Sequence, residues 1–247
     1  MPGFLFYVLI GFLAQLVDGT AGMGYGLSCR SFLRLFFPFP VDLLSAVVHW
    51  AELPVSLVSG ISHLFLGNVD RSLLLRLLLP GVLGGLCGSL LLLQIGKEFE
   101  NFISFYLLLM GLLVFFRALR SSGRPIPWFR KGLLPLALFG GFLDALGGGG
   151  WGQIVGGTLL AGGEEAKKSI GSVNLSEAFV TLTEAVVFFF MLGGVRSCLP
   201  VIFGLISGGI LAAPLAAWCC IRVPVRPLLA AVGLLIVFSN LRPIFIP

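Results

Sequence analysis

The sequence predicts an all-α polytopic membrane protein built from two homologous halves. Hydrophobic residues make up 57% and charged residues 11% of the 247 residues, and the mean hydropathy is +1.06. Ordinary soluble domains carry about 25% charged residues, so this chain cannot cover a water-facing surface. A glycine-rich motif occurs twice, each time beside apolar stretches that are too short to span a bilayer. The repetition predicts the two halves, and the short stretches predict a broken helix in each half.

Six apolar stretches approach the length of about 20 residues that a spanning helix needs. They lie at 42–66, 72–95, 99–119, 169–193, 198–220 and 226–245. Four shorter stretches flank the glycine motifs, at 4–17, 25–37, 133–146 and 151–162. Each of these would be a helix of only about 20 Å, which is too short to cross alone. Each pair is therefore predicted to form either one broken spanning helix or a re-entrant hairpin of two half-helices.

The glycine motif reads DGTAGMGYG at 18–26 and DALGGGGWG at 144–152. Aligning the copies pairs their aspartates, three of their glycines and their aromatic residues: Asp18 with Asp144, Gly22 with Gly148, Gly24 with Gly150, Gly26 with Gly152, and Tyr25 with Trp151. An acid and a flexible loop inside apolar surroundings, present twice, indicate a shared function rather than chance.

The repeat extends beyond the motif, because VVHWAE (47–52) aligns with SVNLSE (172–177). The stretch between the two copies of the pattern, RSSGRPIPWFRK, is polar and basic. We therefore divide the chain into a first membrane repeat, a cytoplasmic linker and a second membrane repeat: 1–119, 120–131 and 132–247.

The basic residues predict how the halves are oriented, because cytoplasmic loops carry an excess of Lys and Arg. If each glycine-rich region is a hairpin that returns to its own side, the halves are inverted and 11 of the 16 basic residues lie on the linker side. If each region is one broken crossing, the split is 9 to 7. The rule favours the inverted arrangement, which is a recurrent plan among transporters. It places Arg30 on the outer side.

Two predicted spans carry polar residues at alternating spacings of three and four, which places them on one helical face. In the first half this stripe comprises His49, Glu52, Ser56, Ser59 and His63. In the second half it comprises Asn174, Glu177, Thr181 and Glu184. A charge at the bilayer centre costs about 2.5–3.5 kcal/mol on the insertion scale, so the stripes are expected to face each other or a wet cavity.

Members of the stripes are expected to differ in role. The serines and threonines are predicted to hold helices together. Glu52 and Glu177 are predicted to be functional, because an acid is an expensive way to join helices. His63 and Glu184 lie nearer the helix ends and are expected to contact water.

The glycine motifs are interpreted as an anion site. The second half-helix of each pair begins after Gly24 or Gly150, and a helix N-terminus presents unpaired N–H groups and a positive dipole end. Glycines let a ligand approach this backbone, so two opposed N-termini could bind a small anion with little or no formal positive charge. The alternative is close helix packing through small residues. The predicted substrate-binding residues are Gly22, Gly24, Tyr25, His49, Glu52, Gly148, Gly150, Trp151, Gln153, Asn174 and Glu177.

Asp18 and Asp144 end the first half-helices, where the helix dipole disfavours an anion. They either cap the helix that follows or are held protonated, and capping is the simpler interpretation. A buried carboxyl group that takes up a proton is also what a proton-coupled carrier needs. The candidate proton-coupling residues are Asp18, Asp144, Glu52 and Glu177.

The two motifs, SVNLSE and the segment HWAELPVSLVSGISHLFLGNVD (49–70) together resemble the TauE/SafE family. This is the sulfite and organosulfonate exporter group, also called toluene-sulfonate uptake permeases, and the resemblance covers nearly the whole chain. It implies a multi-pass protein of the bacterial inner membrane that carries, and in particular exports, a small sulfur anion such as sulfite or sulfoacetate. The residues by themselves indicate a small anion, without distinguishing sulfur from phosphate or carboxylate.

We therefore expect a secondary carrier rather than an enzyme, with no cofactor, metal or nucleic acid. An anion channel of the same selectivity and a carrier of a small carboxylate are the alternatives. No Walker A pattern occurs, so the chain does not use ATP directly. The five cysteines are expected to be small buried hydrophobes without disulfides or catalytic roles. The glycine-rich faces at 84–88 and 207–209 are expected to pack within the chain or in a homodimer.

Overall fold

The computed structural model describes most of the chain, and the described residues contain helices but no strand. The predicted linker, 120–131, lies outside them. The described residues are 3–37, 39–95, 100–119, 132–162, 164–192, 195–220, 222, 224 and 226–245.

Ten α-helices, numbered in chain order, follow the predicted apolar stretches. The first five are α1 Phe4–Ala21, α2 Tyr25–Phe36, α3 Val41–Phe65, α4 Arg71–Ile95 and α5 Glu100–Leu119. The other five are α6 Leu133–Gly147, α7 Gly157–Ala161, α8 Ala166–Met191, α9 Leu199–Cys219 and α10 Arg226–Phe245. A wider π-type turn, Gly152–Gly156, leads directly into α7, and a 3-10 turn, Val195–Cys198, leads into α9.

Within the described residues, five helices are long and apolar enough to cross a membrane, namely α1, α3, α4, α8 and α9. The predicted all-α multi-pass fold is thus confirmed. One length prediction is wrong, because α1 runs through Asp18 to Ala21 and its 18 residues suffice to cross alone. The reason is that the chain first leaves helical geometry at Gly22, where φ is 71°.

Many polar side chains are buried inside the molecule, and many large apolar side chains are exposed on its outer surface. Phe65, Leu75 and Phe190 expose 87%, 70% and 78% of their surfaces. Of the eleven acidic residues, five are buried in the described part of the chain: Asp18, Glu52, Asp144, Glu177 and Glu184. This arrangement suits a protein whose outer surface contacts lipid, where intramembrane ionisable groups face the interior.

The main helix pairs each join a helix of the first half to a helix of the second half. Helix α1 packs on α9 and α6 packs on α4, while α3 packs on α8 and α5 on α10. If α1–α5 correspond to α6–α10, the first two pairs are one contact made twice, and the last two join equivalent helices. A two-fold axis between the halves produces this pattern, which supports the predicted repeat.

Glycines bring these helix pairs very close together. A Cβ atom at Gly208 would collide with the carbonyl oxygen of Val8 in α1, and one at Gly84 would collide with that of Leu138 in α6. Small residues of this kind let membrane helices approach through their backbones. The glycine-rich faces of α4 and α9 are therefore filled within the chain, which was one of the two expectations for them.

Helices α3 and α8 run in opposite directions. His49 near the start of α3 contacts Glu184 near the end of α8. Ser59, farther along α3, contacts Asn174 near the start of α8. Equivalent helices that run antiparallel support the inverted arrangement of the halves.

The turn after α3 lies beside the start of α8. Lys168 donates from Nζ to the carbonyl oxygens of Gly67 at 2.8 Å and Val69 at 3.3 Å. The Asp70 N–H donates to Ser172 Oγ at 2.8 Å. These contacts place the two segments on one side of the helices, as inverted hairpins require and as broken crossings do not. Which side faces the cytoplasm stays a prediction.

Labelling with a membrane-impermeant maleimide can test the orientation. In a background with the five native cysteines replaced, Ser72→Cys and Glu165→Cys should react from the cytoplasmic side, and Arg196→Cys should react from the outside. All three positions are exposed, so the reactivity of each cysteine depends on the side of the membrane that it faces rather than on burial. The measurement compares intact cells with inside-out vesicles, and detergent-treated samples give full labelling. Labelling of Ser72→Cys and Glu165→Cys from opposite sides would rule out the inverted arrangement.

Candidate functional site

The two glycine motifs form hairpins of matching geometry. Gly22 and Gly148 adopt left-handed conformations with φ of 71° and 64°, and each donates its N–H to the carbonyl oxygen of the aspartate four residues earlier. This ends α1 and α6. A second positive φ then turns the chain into the following helix, at Gly24 (123°) in the first motif and one position earlier in the alignment, at Gly149 (129°), in the second. Because side chains other than glycine rarely adopt positive φ, the backbone itself requires these four glycines.

Each motif aspartate binds the first residue of the helix that follows it. Asp18 Oδ1 accepts the Tyr25 N–H at 3.4 Å, and Asp144 Oδ1 accepts the Trp151 N–H at 2.7 Å. The capping interpretation is therefore confirmed. Only the second bond has the short length of a charge-assisted hydrogen bond, so the two hairpins differ in strength at this point.

The two hairpins pack directly against each other. A Cβ atom at Gly26 would lie 2.6 Å from the Cα of Gly149. A Cβ atom at Gly152 would lie 2.5 Å from the carbonyl oxygen of Gly22. The start of each second helix thus rests on the loop of the other hairpin. The sequence predicted two opposed helix starts, and the structure brings them together.

The aromatic residue after each loop anchors the helix that it begins. Tyr25 OH donates to the carbonyl oxygen of Leu205 in α9 at 3.3 Å. Trp151 Nε1–H donates to the carbonyl oxygen of Val173 in α8 at 3.2 Å. Both side chains are buried. They form walls of the hairpin junction and at the same time fix the hairpins to the long helices.

Two buried hydrogen-bond donors face the junction at Gly24. A Cβ atom at Gly24 would lie 3.9 Å from Gln153 Nε2 and from Ser28 Oγ. Neither atom has a hydrogen-bond partner among the described residues. Buried polar groups in proteins are almost always bonded, so two unpartnered donors beside one glycine are hydrogen-bonding capacity that a ligand could use.

The polar stripes of α3 and α8 face each other, as predicted. His49 Nε2 lies 2.7 Å from Glu184 Oε2, and Ser59 Oγ–H donates to Asn174 Oδ1 at 2.7 Å. His49 Nδ1–H donates to the carbonyl oxygen of Ser45 at 2.7 Å. His49 and Asn174, which were expected to bind the substrate, therefore contact other residues of the protein in this conformation.

The expectation that His63 and Glu184 contact water is wrong. Both are fully buried, because α3 and α8 stay in contact along the whole length of their stripes and the turn after α3 covers one end. His63 Nε2–H donates to the carbonyl oxygen of Gly19 at 3.0 Å, and its Nδ1 accepts from Asn68 Nδ2 at 3.0 Å. The long apolar helices had suggested water at their ends, whereas tertiary packing excludes it.

Carboxyl groups surround the junction. Glu52 Oε2 lies 3.2 Å from the position of a Cβ atom at Gly26. Glu52 and Glu177 each interact electrostatically with Asp18, Asp144 and Glu184. Like charges in a buried site repel strongly, so such a cluster is stable only with protons or cations among its members.

Arg30 is the functional candidate that sequence reasoning missed. It was expected on the outer side of the membrane, but α2 buries it to 1% exposure. Its Nη1 donates to the carbonyl oxygen of Leu146 at 3.3 Å and lies 2.9 Å from the position of a Cβ atom at Gly148. Arg30 would add a formal positive charge to a site that was expected to have little or none. Arg30 could have been recognised from the sequence, because it lies five residues after Tyr25 in a helix that is too short to cross the membrane.

One group of side chains within the described residues has metal-ligating types close together. Ligand atoms of His49, Asp144 and Glu184 lie within 4.8 Å of one another. His49 Nε2 and Glu184 Oε2 lie only 2.7 Å apart. Two ligands of a tetrahedral metal with bonds of about 2.0 Å lie roughly 3.3 Å apart. The spacing therefore suits a shared proton better than a metal ion.

Comparison with known proteins identifies the relatives of this fold and site. The chain matches the family described as "Sulfite exporter TauE/SafE" over residues 7–242. It belongs to this family. It is 36% identical over 249 residues to the "Probable membrane transporter protein YtnM" of Bacillus subtilis (strain 168), an alignment that covers 98% of this chain and 83% of the relative. No solved structure matches it significantly.

Membership of the TauE/SafE family makes the chain a membrane transporter, which agrees with the multi-pass fold. The five cysteines are free. Cys29, Cys198 and Cys220 are buried and Cys219 is partly buried, but Cys87 is exposed, so the expectation of burial is wrong for Cys87. Tyr25, Glu52 and Asp18 interact with the Cys29 thiol.

Substitutions at the hairpin contact can test its importance for stability. Gly26→Ala and Gly152→Ala should each destabilise the fold by about 1–3 kcal/mol, because the added methyl group meets backbone atoms that cannot rotate away. The measurement is the apparent unfolding temperature in detergent. Gly132→Ala is the control, since nothing lies within 4 Å of its Cβ position. Equal unfolding temperatures for all three variants would show that the hairpins do not depend on this contact.

Proposed function

We propose that the chain is a secondary carrier of a small sulfur-containing anion, such as sulfite, sulfoacetate or another organosulfonate. The anion would bind between the two glycine hairpins, and protons would accompany it. The observation that carries the proposal is the junction at Gly24, where two buried donors, Gln153 Nε2 and Ser28 Oγ, have no hydrogen-bond partner among the described residues. The choice of sulfur, and of export as the direction, rests on family membership.

Backbone N–H groups and a few side chains would line the bound anion. The starts of the two second helices supply N–H groups and positive dipole ends. Arg30 adds a formal positive charge beside Gly148. The proposed lining consists of Gly22, Gly24, Tyr25, Gly148, Gly150, Trp151 and Gln153.

The charges around the junction support coupling to protons. Five buried carboxyl groups outnumber the single buried arginine in the described residues. An anion entering this region would be repelled unless some carboxyl groups carried protons. Glu52, Glu177, Asp18 and Asp144, the candidates for proton coupling, all lie within this group.

The packing of the hairpins favours a carrier over an open channel. The glycines of the two loops are in direct contact at Gly26 and Gly152, which closes the centre of the molecule. A channel needs a continuous path in its conducting state, whereas a carrier opens a closed central site to one side at a time.

Counterflow in proteoliposomes tests the function. Vesicles loaded with an unlabelled anion are diluted into the same anion carrying a trace of radioactive label, on sulfur for the sulfur anions and on carbon for acetate. A carrier gives a transient accumulation of label above equilibrium, which a channel does not. We expect this overshoot for sulfite or an organosulfonate, with weaker competition by sulfate, phosphate and acetate. Overshoot with acetate alone would instead identify a carboxylate carrier, and simple equilibration would identify a channel.

The binding position can be tested at Gln153. Removing a buried donor to a charged ligand costs about 1.5–3 kcal/mol, so Gln153→Leu should weaken apparent affinity by about 10- to 100-fold. Gln94→Leu makes the same substitution at an exposed position and should leave affinity unchanged. The measurement is the substrate concentration that gives half-maximal counterflow. Equal values for both variants would remove Gln153 from the binding site.

A further inference from the structure

Two interhelical bridges join α3 to α8 at equivalent positions of the two repeats. The alignment that pairs His49 with Asn174 also pairs Ser59 with Glu184. The structure joins His49 to Glu184 and Ser59 to Asn174, each at 2.7 Å. The two bridges are therefore the same contact made twice, once on either side of the axis between the halves.

The bridges differ in one chemical property, which is their ability to hold a proton. Histidine and glutamate both gain and lose protons, whereas serine and asparagine stay neutral at any physiological pH. The residues that occupy matching positions thus make one bridge ionisable and the other permanently neutral. Simple helix packing would be served equally well by two neutral bridges, and a buried ionisable pair within a membrane is costly.

The geometry fixes how many protons the His49 bridge holds. His49 Nδ1 faces the carbonyl oxygen of Ser45 at 2.7 Å, and a carbonyl only accepts, so Nδ1 carries a hydrogen. Nε2 faces Glu184 Oε2 at 2.7 Å. A bare nitrogen and a bare carboxylate would repel at that distance, so the pair holds one further proton, although His49 Nε2 and Glu184 Oε2 are not aligned as a hydrogen bond requires.

Asp144 connects this proton to the glycine hairpin. Its Oδ2 lies 3.7 Å from His49 Nε2 and is buried without a hydrogen-bond partner among the described residues. Its Oδ1 holds the Trp151 N–H at 2.7 Å. The same carboxyl group therefore contacts both the ionisable bridge and the loop of the proposed substrate site.

We infer that the His49–Glu184 bridge and Asp144 form the single proton-coupling site of the carrier, and that its proton travels in the same direction as the anion. The inference rests on the proposed function. In the coupled step the proton leaves His49 Nε2 and binds Asp144 Oδ2, which leaves a neutral imidazole and a neutral carboxyl group. Neutral Asp144 holds the Trp151 N–H less strongly and no longer repels the anion at the loop.

Titratable groups surround this site on the neighbouring helices. Glu52 lies on α3 and Glu177 on α8, Asp18 approaches from α1, and Arg30 approaches from α2. Asp144 comes from α6, and Tyr106 of α5 lies near it. Among these acids, Asp144 is the one that has a histidine ring nitrogen within 4 Å.

The first hairpin lacks the same device. Asp18 is the counterpart of Asp144, but its bond to the Tyr25 N–H is longer, at 3.4 Å. The bridge equivalent to His49–Glu184 there is Ser59–Asn174, which cannot supply a proton. The predicted set of four coupling carboxyls therefore reduces to one functional centre, in which Glu184 positions and balances the charge of His49.

Transport with and without a pH gradient tests the inference. Proteoliposomes are assayed for counterflow at equal pH on both sides, and then for accumulation of labelled sulfite with the outside one pH unit more acidic. One-to-one cotransport of proton and anion allows up to about ten-fold accumulation per pH unit. Glu184→Gln should lose the stimulation by the gradient, measured as the ratio of accumulation with the gradient to accumulation without it. Ser59→Ala, which breaks the neutral bridge, should keep both counterflow and the stimulation.

A second pair of variants covers the case in which Glu184→Gln does not fold. The ratio of accumulation with the gradient to accumulation without it does not depend on the amount of active protein. Asp144→Asn should reduce this ratio to one, and Asp18→Asn should leave it as in the unmodified chain. Equal ratios for the two variants, or full stimulation in Glu184→Gln, would overturn the inference. Absence of counterflow in the unmodified chain would instead reject the proposed function, so the two failures are distinguishable.

Discussion

The direct contact between the two glycine hairpins is the constraint on which the rest of the structure depends. Gly26 rests on Gly149 and Gly152 rests on Gly22, at distances that leave no room for a side chain. This contact brings two helix starts, each with unpaired N–H groups, to the same place inside the molecule. Tyr25 and Trp151 then fix the hairpins to α9 and α8, and the aspartates close each loop onto the helix that follows.

The contact also explains why acids are buried beside it. Helix starts carry partial positive charge, and the motif aspartates neutralise that charge when no anion is present. Under the proposed function, entry of an anion requires Asp144 to release the Trp151 N–H, which a proton on Asp144 would allow. A carrier needs such an exchange, because a site that bound its substrate without competition would release it too slowly. The buried Arg30 offsets part of the remaining negative charge.

Two-fold repetition gives this protein a duplicated scaffold, and small sequence differences give the copies different chemistry. Glutamates at matching positions of α3 and α8 could be recognised from the alignment, and so could the loops and the aspartate caps. The roles of His49, Glu184 and Arg30 could not, because each depends on a partner more than a hundred residues away in the chain. Spacing along one helix shows which residues share a face, but it does not show which residue of another helix lies opposite.

The sequence by itself determined the membrane class, the extent of most helices, the repeated glycine motif and the family, because these follow from composition, local periodicity and the backbone requirements of glycine. The same local signals placed the end of α1 too early and treated His63 and Glu184 as residues near water. Only the tertiary structure decided that the hairpins touch, that α3 and α8 run antiparallel, and that one of two equivalent bridges is ionisable. These features depend on the register between distant helices, which is set by the packing of the whole chain.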